Sequence, residues 1–172
     1  MTGLLRPFLD RWRLCALLVS AAMLALAHAF QTFGGMAPCT LCLRQREVYW
    51  VAGAVALAGL VLIRLLKGRS WRMLADAALA LVFAAGVATA VYHAGAEWKF
   101  WPGPSTCAAG AAGPVSAQDL ANLMRGETVK PPACDKAAWV FAGLSMAGWN
   151  ALISAGLTGL SLAAAFRERS RP

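Results

Sequence analysis

The chain has 172 residues, of which 59% are hydrophobic and 14% charged, with a mean hydropathy of +0.58; a typical soluble domain is about 25% charged. Those figures exclude a disordered chain and an ordinary soluble domain, and they fit one compact polytopic membrane domain. The net charge of +8 would suit a nucleic-acid binder, but the placement of the basic residues along the chain reads differently.

The first apolar run, Leu14 to Phe30, has 17 residues without a charge and follows Arg6, Arg11 and Arg13. Ala27-His28-Ala29 at its end resembles the cleavage site of a secretory signal. A retained helix is expected instead, because the run is longer than most signal cores. Cys15 within it reads as a small buried hydrophobe. A short polar stretch follows, with Cys39 and Cys42 in Pro38-Cys39-Thr40-Leu41-Cys42 and then Arg44 and Arg46. Three-residue spacing is that of redox-active CxxC pairs, whose thiols are strongly acidified at helix N-termini and beside positive charge. Cys42 falls at the start of the next helix, where free N–H groups and the helix dipole favour a thiolate. Arg46, one turn on, can share its face.

The second run, Val48 to Ile63, has 16 residues and is flanked by Arg46 and Arg64, which can snorkel outward. The third extends from about Met73 to Ala96 with Asp76 as its one charge, and carries His93 near its far end. Trp98, Phe100 and Trp101 follow, as in an aromatic interfacial belt. A long stretch then holds Cys107 and Cys134, and residues 102–132 contain five of the eight prolines. An irregular loop is expected there. Within it Ser116-Ala117-Gln118-Asp119 is a capping box, and Leu120, Leu123 and Met124 suggest a short amphipathic helix on the membrane surface. The last run, within Ala137 to Phe166, has 30 residues without a charge; Trp139 near its start fits the same belt.

Backbone polar groups in lipid must be satisfied internally, so the runs are expected to be helices, at about 14–32, 46–65, 73–94 and 140–166, joined by loops at about 33–45 and 95–139. The fold class expected is an all-α membrane protein, a four-helix transmembrane bundle with a short and a long periplasmic loop. One side of this arrangement carries ten basic and three acidic residues, a net of +7, and the other six basic and five acidic, a net of +1. The excess places both termini in the cytoplasm, and no nucleic-acid partner is expected. Four cysteines on the opposite, oxidising side favour disulfides. A structural zinc site usually needs two CxxC pairs or additional histidines; Cys107 and Cys134 are isolated singles, so no metal is expected, although His93 could help a CxxC hold one. Taken alone, a Cys107–Cys134 pair would be a stapling disulfide.

In order, Pro38-Cys39-Thr40-Leu41-Cys42 with Arg46, Tyr92-His93-Ala94-Gly95-Ala96-Glu97-Trp98 leading to Gly103-Pro104 and Cys107, and Cys134-Asp135 leading to Leu144-Ser145-Met146-Ala147-Gly148-Trp149-Asn150 resemble the DsbB family over essentially the whole chain. The resemblance implies a multi-pass enzyme of the bacterial inner membrane. Such an enzyme oxidises a DsbA-like periplasmic dithiol protein and passes the electrons to the membrane quinone pool, ubiquinone or menaquinone. It implies disulfides Cys39–Cys42 and Cys107–Cys134. In that scheme Cys107 forms the mixed disulfide with the donor, Cys134 exchanges with Cys39, Cys42 contacts the quinone, and Arg46 and His93 line its pocket. Two other readings are a quinone or vitamin-K-epoxide-type reductase on a similar bundle, and a non-enzymatic membrane protein with structural disulfides.

Overall fold

The computed structural model describes residues 7–66, 68–104, 120–121, 124–125 and 134–170. Four helices carry the apolar runs: α1 (Trp12–Thr32), α2 (Thr40–Leu66), α3 (Arg69–Glu97) and α4 (Met146–Ser170). All four are long and apolar enough to cross a membrane. They run alternately up and down. α1 packs on α2, α2 on α3 and α3 on α4, while α1 and α4 touch little. The bundle is the one expected from the apolar runs.

Small residues let the backbones approach: Ala16, Ala52, Ala56, Ala80 and Ala90 are buried. A methyl group added at Gly86 would stand 3.0 Å from Val48 on α2 and 3.2 Å from the Ser154 hydroxyl on α4, so α3 sits close to both neighbours there. Large buried side chains are few, chiefly Trp12, Leu79 and Phe83, whereas Leu18, Leu57, Leu81 and Leu152 point outward. Apolar surface that faces out and small residues that face in suit helix packing in lipid.

The end of the bundle formed by the start of α1, the start of α3 and the end of α4 is tied by polar groups. Arg13 donates to the Asp76 carboxylate at 2.6 Å with both side chains buried. Trp12 Nε1–H donates to the Ser161 hydroxyl at 3.0 Å. Arg167 pairs with Asp10 at 3.0 Å. Asp76, the one charge in the third apolar run, is thus a helix–helix contact.

Several boundaries differ from the expected ones. α2 begins at Thr40, six residues earlier than 46, directly after Pro38-Cys39. Nothing after the proline breaks the helix, and the polar first turns lie at the bundle rim. α3 extends to Arg69 and Glu97 for the same reason. α4 begins only at Met146, because a small antiparallel hairpin precedes it: β1 (Val140–Phe141) and β2 (Leu144–Ser145), pairing Val140 with Ser145 and Phe141 with Leu144. Its turn residues Ala142 and Gly143 both have positive φ, 50° and 79°, as tight hairpins require. At the end of α1, Gly35 takes φ 62° and turns the chain toward Cys39. The capping box lies outside the described residues. Beyond it Leu120, Ala121 and Met124 are helical, and Leu120 and Met124 are exposed.

Candidate functional site

At the opposite end of the bundle, α2 opens one residue after Cys39. The Cys39 carbonyl accepts the first helical bond from Leu43 N–H at 3.1 Å, and its sulfur accepts the Cys42 N–H at 3.2 Å. Cys39 therefore occupies the capping position, and the free donors of the first turn serve its sulfur. The two sulfurs lie 2.8 Å apart as unbonded thiols. His93 Nε2 on α3 stands 3.6 Å from Cys39 Sγ. The Cys42 side chain and then the His93 ring hold the Cys39 thiol well below its ordinary range, against the effect of burial. The sequence alone favours a thiolate at Cys42; in the reduced pair the geometry favours Cys39, because the helix begins early enough to make it the cap.

Cys134 arrives from the long loop. It is buried, disulfide-bonded, and 3.4 Å from the hydroxyl of Thr40, the residue next to Cys39. Lys99, just past α3, secures this stretch by donating to the Asp135 carbonyl at 2.7 Å and its carboxylate at 2.5 Å. That contact holds the exposed Asp135 carboxyl below its ordinary range. Cys107, the expected partner of Cys134, lies outside the described residues.

The pair also borders a cavity of about 470 Å³ lined by all four helices and the hairpin, within the size range of small-molecule sites. Its walls are mostly apolar: Leu26 and Phe30 from α1, Trp139 and Phe141 from the hairpin region, Ile153 from α4. Phe30, Trp139 and Phe141 form a run of ring contacts, each pair 5.7 Å apart, so Trp139 is a wall of this site as well as a rim aromatic. Cys42, Arg46, His93 and Glu97 line it as well. Arg46 is held by α1, donating to the Gln31 side chain at 2.6 Å and the Ala27 carbonyl at 3.0 Å. Arg44, expected to add charge here, turns outward to pair with Glu47 at 2.9 Å, and both are exposed. Glu97 Oε2 is buried without a hydrogen-bond partner among the described residues. An apolar slot lined also by thiol and basic groups fits a planar apolar ring with oxygen substituents, as in a quinone.

Sequence reasoning assigned no role to the polar chain behind His93. Tyr49 O–H donates to Asn150 Oδ1 at 2.5 Å, Asn150 Nδ2 to Gln45 Oε1 at 2.6 Å, and Gln45 Nε2 to His93 Nδ1 at 2.8 Å. The signal available was Asn150 itself, an amide inside a charge-free membrane run. Cys39, Cys42 and His93 are also close enough to hold a metal ion, their ligand atoms lying within 4.8 Å of one another. However, an amide nitrogen can only donate, so His93 Nδ1 accepts and the ring proton sits on Nε2. The nitrogen facing the sulfurs thus has no lone pair to offer.

The chain matches the family model for the disulfide bond formation protein DsbB over residues 10–164. It is 31% identical over 154 residues to disulfide bond formation protein B of Methylococcus capsulatus, covering 87% of this chain and 89% of that protein. No solved structure matches it.

Proposed function

Because this chain belongs to the DsbB family of disulfide bond formation proteins, we propose that it oxidises a DsbA-like periplasmic dithiol protein by thiol–disulfide exchange and delivers the electrons to membrane quinone. The observation that carries this reading is the position of the Cys39–Cys42 pair, with Cys134 across Thr40 and the apolar cavity bordering it.

The steps follow from thiolate chemistry. A donor thiolate attacks Cys107 in a Cys107–Cys134 disulfide, forming a mixed disulfide and freeing Cys134. Cys134 attacks Cys39 in the Cys39–Cys42 disulfide and frees Cys42, which lines the cavity. The second donor thiol resolves the mixed disulfide and frees Cys107, which attacks Cys134, re-forms the Cys107–Cys134 bond and releases Cys39; the Cys39–Cys42 bond then re-forms as two electrons leave for the acceptor. Overall, two electrons and two protons pass from the donor dithiol to the quinone, giving a disulfide and a quinol. Bound quinone supplies the two-electron acceptor. Arg46 offers positive charge to an oxygen in the cavity, the aromatic walls hold a ring and exclude water, and His93 holds the Cys39 thiolate. The resting disulfides in this scheme are Cys39–Cys42 and Cys107–Cys134, and the cysteine end faces the periplasm.

Purified protein mixed with a reduced DsbA-type protein and a soluble quinone analogue tests this. Wild type should bleach quinone absorbance as donor thiols disappear. Cys42→Ser should abolish quinone reduction, and Cys107→Ser should abolish the donor-linked mixed disulfide. Full donor oxidation by either variant would refute the relay.

A further inference from the structure

The tie between Lys99 and Asp135 is rooted in an unusual piece of backbone. Lys99 lies two residues past α3 and has φ 63°, a left-handed conformation that glycine usually fills at a helix end. The turn around it is closed by Lys99 N–H donating to the Ala96 carbonyl at 3.2 Å and Phe100 N–H donating to the Gly95 carbonyl at 2.9 Å. Trp101 then folds back on α3. Its Nε1–H donates to the Tyr92 carbonyl at 2.8 Å, and its ring fills the space that a side chain at Gly95 would need. The Lys99 side chain therefore leaves a well-fixed turn. Its ammonium donates to two oxygens of one residue, the Asp135 carbonyl at 2.7 Å and the Asp135 carboxylate at 2.5 Å, and both side chains are exposed. Asp135 directly follows Cys134, whose buried, disulfide-bonded sulfur is 3.4 Å from the hydroxyl of Thr40, the first residue of α2. Lys99 thus ties the loop cysteine to the end of α3, beside the Cys39–Cys42 pair.

In the relay, donor attack on Cys107 leaves Cys134 as a free thiolate with two disulfides to choose from. It can attack Cys39 and pass the oxidation on, or attack Cys107 in the mixed disulfide and expel the donor. The outcome depends on the local concentration of the Cys134 sulfur at Cys39. An exposed ion pair holds its partners only by about fivefold, but a competition between two intramolecular attacks responds to a factor of that size. A glycine at position 99 would relieve the backbone and lose nothing but the side chain. Strain kept at a residue whose ammonium meets the neighbour of a reacting sulfur points to a task for that ammonium.

Resting on the relay proposed above, we propose that Lys99 is a positioning residue: through Asp135 it keeps Cys134 seated beside the Cys39–Cys42 pair while the donor holds Cys107, and so directs Cys134 to Cys39. In the directed step the Cys134 thiolate attacks Cys39 Sγ. The Cys134–Cys39 bond forms, the Cys39–Cys42 bond breaks, and Cys42 leaves as the thiolate. The negative charge moves from Cys134 to Cys42, and no outside oxidant or reductant is consumed. In the competing step the Cys107–Cys134 bond re-forms and the donor leaves as its thiolate.

The test uses the full chain, oxidised and quinone-free, with a reduced DsbA-type protein whose second cysteine is replaced by serine, so that the donor cannot resolve the mixed disulfide. After an acid quench, peptide mapping gives the ratio of donor-linked protein with a Cys39–Cys134 bond to donor-linked protein with Cys134 free. Lys99→Gly suits the left-handed backbone and removes the ammonium. It should unfold at a temperature no lower than wild type, yet lower this ratio about fivefold. Asp135→Asn, which keeps the carbonyl acceptor, should lower it less. Arg44→Met, which removes another exposed charge at the same end, should match wild type. Because the tie is exposed, raising the ionic strength from about 0.05 M to about 0.5 M should lower the wild-type ratio and leave that of Lys99→Gly unchanged. A wild-type ratio in Lys99→Gly, an equal fall in Arg44→Met, or the same salt dependence with and without Lys99 would each overturn the proposal. If Lys99→Gly does not fold, a wild-type ratio in Asp135→Asn would do the same. A wild type that forms no Cys39–Cys134 bond at all would instead overturn the relay from which the proposal starts.

Discussion

Cys39 gains its acidity from three sources: the Cys42 S–H, the Cys42 N–H at the first turn of α2, and the His93 ring. The first is the largest, so the effect depends on the other cysteine of the pair being reduced and present. A thiol held well below its ordinary range stays a thiolate through neutral pH and loses that charge only in acid. The reduced, quinone-free protein should therefore be alkylated at Cys39 at nearly the same rate at pH values of about 6 and about 8, whereas an ordinary thiol with a pKa of about 8.5 would slow by more than tenfold. Cys42→Ala removes the main donor and should restore much of that ordinary pH dependence. A rate at Cys39 that climbs steeply with pH in the wild type would show that the sulfur carries its proton. None of this could be read from the CxxC spacing, which treats the two sulfurs alike. What separates them is the His93 ring beside Cys39 and the helix start, which gives its sulfur the Cys42 N–H.

Among the elements, the four helices were readable in advance because each carries a long apolar run, and hydropathy depends on composition rather than on partners. Their ends were not. The polar first turns of α2 and the last turn of α3 are helical because they meet one another at the rim, and hydropathy scores them as loop. The hairpin at 140–145 is invisible for the opposite reason: its strands are two residues each and lie inside a run that reads as helix throughout. The inter-helix polar contacts join residues far apart in sequence, such as Gln45 with Asn150 and Arg13 with Asp76. Single residues in an apolar run hint at such contacts without naming the partner. The Arg13–Asp76 pair makes the consequence measurable. Removing one member of a buried ion pair typically costs about 3–5 kcal/mol, while replacing both with apolar residues of similar size is often neutral. Arg13→Met alone should thus lower the thermal midpoint in detergent substantially, and Arg13→Met with Asp76→Leu should recover most of it. Equal destabilisation by the single and double variants would mean that the pair is not what joins α1 to α3.

For the molecule as a whole, charge and chemistry sit at opposite ends. The end formed by the start of α1, the α2–α3 connection and the end of α4 carries most of the basic residues, including Arg11, Arg13, Arg64, Arg69, Arg72, Arg167 and Arg169. The thiols, the cavity mouth and the Lys99–Asp135 tether occupy the other. The two facts are linked. The relay proposed above, drawing on a donor from an oxidising compartment, needs its sulfurs on that side, and the excess of Lys and Arg in short connections would keep the remaining end in the cytoplasm. The acceptor proposed above is lipid-soluble, so its site must open where the bundle meets lipid. α1 and α4 hold each other chiefly at the charged end, through Trp12 and Ser161, and the cavity occupies the space between them at the thiol end. The orientation can be tested directly. With the native cysteines replaced, Phe33→Cys, at an exposed site beside the thiol end, should react with a membrane-impermeant maleimide in intact cells. Ser70→Cys, exposed at the start of α3, should react only after the membrane is opened. The reverse pattern would put the thiols in the reducing compartment, where a disulfide relay to an extracytoplasmic donor could not run.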